Sequence, residues 1–227
     1  ANYNMKLVHP LISEIINLSN ESKVNILVIE NQKLFTSILT ELYGQINNCK
    51  GEFVFSIDNS PKEISKNIEI ITQFIPFEIN KKTLIGKLLK KMDTIAQGED
   101  FLIKTKELYL FISEYAKILS EEIDHDIDFI YEYDISNILK TIDFKFKEDY
   151  ESLAEKIIDY MLLVREFDSE KCFILLNLRN YISDEEIDDF YKTILYNKLK
   201  VLIISANDYE HSDYESKIVI DSDLCEF

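Results

Sequence analysis

The sequence predicts an α/β protein, a parallel-type sheet covered on both faces and interrupted by an α-helical excursion. Three observations predict it. The runs at 25–29 (Asn-Ile-Leu-Val-Ile), 172–177 (Cys-Phe-Ile-Leu-Leu-Asn) and 200–205 (Lys-Val-Leu-Ile-Ile-Ser) are short, apolar almost throughout and rich in β-branched residues, which is how strands read when both faces are buried. The last two bracket a helical pattern at 183–197, making a βαβ unit. Between the first run and the last two, residues 80–142 carry only helix-period patterns.

Taken in order, the strand at 25–29 leads into a helix over 31–43. The loop between them reads Glu30-Asn31-Gln32-Lys33 and has no glycine, so its backbone cannot wrap a phosphate as a P-loop or dinucleotide loop does. Residues 53–57 and 68–75 are further strand candidates, separated by the turn-like stretch Asp58-Asn59-Ser60-Pro61, and both are expected to join the sheet that 25–29 begins. Asn80 can cap a helix whose apolar residues Leu84, Ile85, Leu88, Leu89 and Met92 form one stripe, with Lys87, Lys90 and Lys91 on the opposite face, and Gln97-Gly98 ends it. From 101 to 123, Leu108, Phe111, Ile112, Tyr115, Ile118 and Leu119 mark a long amphipathic helix of bundle type. Asp134 caps a short helix, and a last one over 150–167 returns the chain to the strand at 172. The head is accordingly assigned to 1–77 and 143–227, and the helical leg to 78–142.

With 227 residues, 46% hydrophobic, the chain can bury a sizeable core, which excludes a disordered or fibrous protein. Four glycines and three prolines leave little for long linkers. Cys49, Cys172 and Cys225 have no metal-type spacing, and Cys172 lies inside a strand candidate, so a reducing, cytoplasmic setting is expected. Neither a signal peptide nor a membrane span is visible near the start.

A formal charge of −17 argues against a nucleic-acid partner, but the charge is segregated. Lys81, Lys82, Lys87, Lys90 and Lys91 share an acid-free stretch, either a solvated helix face or a surface for phosphates. From Glu121 to Asp134 the acids Glu121, Glu122, Asp124, Asp126, Asp128, Glu132 and Asp134 occur with no lysine or arginine, either a solvated helix end or ligands for a hard cation such as calcium. Asp124, Asp126 and Asp128 have the spacing of an EF-hand start, but Phe129 stands where its glycine belongs and Ile135 where its bidentate glutamate belongs. His9, His125 and His211 are scattered without a zinc pattern, and no nucleophile elbow or placed carboxylate pair supports catalysis. Arg165 and Arg179 are the only arginines, and Arg179 follows the strand ending at 177, the sheet edge where such folds bind ligands.

This order of elements resembles the Csn-two family, CRISPR-associated proteins of type II-A systems used in spacer acquisition. The residues that carry the resemblance are Ile26-Leu-Val-Ile-Glu30 with Phe35, Phe77-Glu-Ile-Asn80 before Thr83-Leu-Ile85, Tyr133-Asp134 before Ile138-Leu139, and Phe173-Ile-Leu-Leu-Asn177 with the strand from Val201 to Ile204. The resemblance implies a head like a degenerate P-loop ATPase core without ATPase activity, an inserted leg, and a homotetrameric ring that is lined with lysines. It further implies that the ring encircles double-stranded DNA, loads at free ends and works beside the CRISPR adaptation integrase and effector nuclease. It also implies calcium. Glu132 and Asp134 match acidic positions of the family, whereas Lys140 stands where a family acid is expected, so the candidate ligands are Asp124, Asp126, Asp128, Glu132 and Asp134. Two other readings stay open from sequence: an ATPase-like interaction scaffold that touches DNA weakly, and a metal-dependent nuclease using the acids of 121–134.

Overall fold

A computed structural model describes residues 3–130 and 134–227. The chain divides into two compact units, 1–77 with 148–227, and 78–147. Asn80 bonds both backbone groups of Phe146 and so ties the segment around it to the second unit.

The first unit contains two sheets. Strands β1 (Met5–His9) and β2 (Ile12–Asn17) form an antiparallel hairpin that precedes β3 (Val24–Ile29) and helix α1 (Gln32–Ile46). Next come β4 (Val54–Ile57), β5 (Ser60–Lys62), the one-turn α2 (Ile64–Asn67) and β6 (Ile68–Ile71). β4 does not join the sheet of β3, as its sequence led us to expect; it pairs antiparallel with β1 and β5. Its burial alternates, with Phe55 and Ile57 inward and Val54 outward, which suits a sheet with one wet face. The expected strand at 68–75 stops at Ile71, short of Pro76, which has no N–H to give a ladder.

The second unit contains α3 (Lys82–Ala96), α4 (Leu102–Glu121) and α5 (Ile135–Lys140). The chain then completes the first unit with α6 (Leu153–Phe167), β7 (Cys172–Leu176), a 3-10 turn at Leu178–Asn180, α7 (Asp184–Tyr196), β8 (Lys200–Ser205) and β9 (Glu215–Ile220). The main sheet has the order β6-β7-β8-β3-β9, with every neighbouring pair parallel.

Both faces of this sheet are dry. Leu27, Ile29, Ile174, Leu202 and Ile204 share a core with Ile38 and Leu42 of α1 and with Met5, Leu7 and Phe55 of the antiparallel sheet. Phe173, Leu175, Val201 and Ile203 alternate with them, point to the other face and are equally buried. Buried residues of α6 and α7, among them Met161, Val164, Tyr191 and Ile194, supply apolar surface beyond that first core. Each helix has a sequence-encoded start: the Ser152 hydroxyl accepts from the Glu155 amide at 3.1 Å, and Ser183 with Glu186 forms a capping box, devices of about 1 kcal/mol each. Cys172 sits in the core with Sγ 3.6 Å from Met5 Sδ, and burial pushes its thiol up to about 12.

Candidate nucleic-acid interface

The lysine cluster lies on α3 and the residue before it. Lys81 is the N-cap by position, Asn80 makes no cap, and its carboxamide instead bonds Phe146 on both sides, accepting from its N–H at 2.8 Å and donating to its carbonyl at 3.1 Å. The expectation of an Asn80 cap fails because a backbone partner 66 residues away claims that side chain. Within α3 only Leu84 is fully buried. Lys82, Lys90 and Lys91 are exposed; Lys81 and Lys87 are partly covered. Lys81, Lys87 and Lys91 each have an interaction within the chain.

The charge of the molecule follows the division into units. Residues 78–147 hold 11 basic and 14 acidic side chains, whereas the sheet unit holds 14 basic and 28 acidic ones. The strongly acidic character therefore belongs to the sheet unit, and the lysines stand on the part of the chain where charge is nearly balanced. Their compact ammonium groups suit contact with a phosphate backbone. The structure adds Lys145 and Lys147 to this neighbourhood, since both flank Phe146 and Phe146 is clasped to Asn80, the residue before Lys81.

Among the described residues the acidic segment does not converge. Glu121 ends α4, and Asp124, Asp126 and Asp128 follow in an exposed stretch where Glu121, Asp124 and Asp126 line one open recess. Asp134 caps α5, accepting from the Ser136 amide at 2.9 Å, and hydrogen bonding from Ser136 holds its carboxyl below the usual range. Glu132 lies outside the described residues. Among the described residues these acids form no group with three ligand oxygens close together; the group that does is His9, Glu41 and Glu52, within 4.8 Å of one another. That trio does not fit a metal. His9 Nδ1 accepts the Leu11 amide at 3.2 Å, which leaves the ring proton on Nε2, facing Glu41 at 3.3 Å. A ligating histidine needs the opposite arrangement, with its second nitrogen donating. The described carboxylates likewise do not fit a preformed calcium cage, which asks for six to eight oxygens around one point.

At the carboxyl edge of the parallel sheet the glycine-free β3–α1 junction is short. Asn31 accepts from the Leu34 amide at 3.0 Å and donates to the Ser222 carbonyl at 2.9 Å, so two residues, Glu30 and Asn31, close the β3–α1 junction. Arg179 is buried. Its Nη2 lies 2.5 Å from Asp184 Oδ1 at the start of α7, and its guanidinium stacks 5.0 Å from the Tyr209 ring centroid. Arg165 donates to the Asn197 carbonyl at the end of α7. Both arginines thus fasten elements of the fold.

These features define a class: an α/β protein with a parallel sheet, a helical insertion bearing a basic helix, and a glycine-free β3–α1 junction. The family model for CRISPR-associated protein (Cas_Csn2) matches residues 45–224, and the chain belongs to that family. No curated protein sequence matches it. Membership gives the chain a CRISPR-associated role, in antiviral defence. Among the described residues no helix is long and apolar enough to cross a membrane.

Proposed function

We propose that this chain is a non-catalytic, ring-forming protein that binds and encircles double-stranded DNA, preferring free ends, in the spacer-acquisition step of CRISPR defence. The observation that carries the reading is α3, an exposed helix whose neighbourhood from Lys81 to Lys91 has five lysines and no acid. Four copies in a homotetramer bring about twenty such charges to one duplex, enough to outweigh acids elsewhere that salt screens within roughly 10 Å. The tetramer is supported by α4, whose apolar residues Leu108, Phe111, Ile112, Tyr115, Ile118 and Leu119 are all exposed in the single chain. The absence of a phosphate-wrapping loop supports a role without nucleotide hydrolysis. In the cytoplasm the partners are the adaptation integrase and the effector nuclease.

The interaction scaffold with weak DNA binding is favoured by one observation, that Lys81, Lys87 and Lys91 already have interactions within the chain. The two readings separate in one experiment. Titration of labelled linear duplex at several salt concentrations should give sequence-independent binding with a steep salt dependence. Lys82→Glu, Lys90→Glu and Lys91→Glu together should remove it while thermal stability is kept, because all three side chains are exposed. Unchanged affinity and salt slope in that variant would support the scaffold.

A further inference from the structure

The segment 143–147 reads Asp-Phe-Lys-Phe-Lys, and its burial alternates with its sequence: Phe144 and Phe146 are half-buried, while Lys145 and Lys147 are exposed. In an extended chain residues two apart point the same way, so the two phenylalanines face inward and the two lysines share the outer side. The segment is held in place. Asn80 accepts from the Phe146 amide and donates to its carbonyl, as a neighbouring strand would, which sets this pair of lysines beside Lys81 and Lys82 at the start of α3.

We infer that Lys145 and Lys147 form a second row of contacts to the DNA phosphate backbone, continuous with Lys81 and Lys82, and that Asn80 is the positioning residue that joins the two rows. The inference rests on the DNA-binding reading above. Lys145 pairs with Asp143 at 2.7 Å, but both side chains are largely exposed, and such a pair contributes little and yields readily to a phosphate. Lys147 also has an interaction within the chain. Two chain segments far apart in sequence then present one basic surface, and its register depends on a single carboxamide.

The test measures binding of labelled linear duplex by fluorescence anisotropy across about 50 to 200 mM salt. Four proteins are compared: the unmodified chain, Lys145→Gln with Lys147→Gln, Asn80→Ala, and a charge-matched control, Lys192→Gln with Lys198→Gln, on exposed ion-paired lysines of the sheet unit. The double variant at 145 and 147 should bind several-fold more weakly, with a salt slope lower by about one for each contact removed. Asn80→Ala should lower the slope in the same direction with all lysines present, which a merely structural loss detected by melting would not explain if the midpoint is kept. The control should match the unmodified chain. Binding by the 145/147 variant equal to that of the unmodified chain, or no weaker than that of the control, overturns this inference and leaves the DNA reading standing. Failure of the unmodified chain to bind duplex overturns both.

Discussion

Asn80 shows how one side chain can decide what a surface is made of. As a helix cap it would have served α3 alone; bonded to Phe146 it couples two segments of the helical unit. The three cysteines differ in an equally local way. Cys49 and Cys225 are exposed, whereas Cys172 is buried between β-sheet side chains with its thiol pushed up to about 12, and thiolate is the reactive form. Two thiols per chain should therefore react quickly with a chromogenic disulfide in the native protein, and the third only after denaturation. A Cys172→Ser variant that lost one of the fast thiols would contradict the packing of β7. Local signals of this kind were partly legible in the sequence. Ser183 and Asn31 read as helix starts because a cap is written within three residues of its target; the helix expected from 150 starts two residues later, at its Ser152 cap, and the Asn80 cap fails because the partner of that side chain is 66 residues away.

Elements were legible in proportion to how continuously apolar they are. β3, β7 and β8 run through a sheet with two dry faces, so their sequences are unbroken apolar runs, and the capped α7 between the last two completes a recognisable unit. β1 and β2 were missed because each buries one face only and the hairpin is broken by a register shift between Leu7 and His9. β9 has no unbroken apolar run in the sequence, because Glu215 and Lys217 interrupt it and are paired with each other at 3.3 Å inside the strand. For β4 the alternation was plain, but alternation specifies a face and not a partner strand. α4, an amphipathic helix of bundle type by sequence, leaves its apolar stripe uncovered in the single chain: Phe111 is 68% exposed and Ile118 57%, while the Thr105 hydroxyl donates to the Ala96 carbonyl of α3 at 2.7 Å. An uncovered stripe of this size is the kind of surface that a subunit contact would cover. Under the tetramer reading, Phe111→Glu with Ile118→Glu should give a monomer by light scattering with little change in melting midpoint, since neither side chain is in a core. A variant of unchanged tetrameric mass would place the subunit contacts elsewhere.

For the whole molecule, net charge alone argues against a polyanionic partner, and its distribution reverses the argument for one unit. The sheet unit, with twice as many acids as bases, repels a duplex and favours solubility, while α3 and the 143–147 segment offer exposed lysines. The acid-free lysine run was legible because it is contiguous, whereas Lys145 and Lys147 were hidden by the adjacent Asp143 and Glu148 and by a pairing 66 residues long. On the proposed reading the assembled protein surrounds DNA and does not merely touch it, which competition between a linear duplex and a covalently closed circle of the same sequence can decide. The closed circle should compete poorly until it is cut once, after which it should compete as well as the linear duplex. Equal competition by the intact circle would contradict that reading, since a ring must thread an end and a flat basic surface need not.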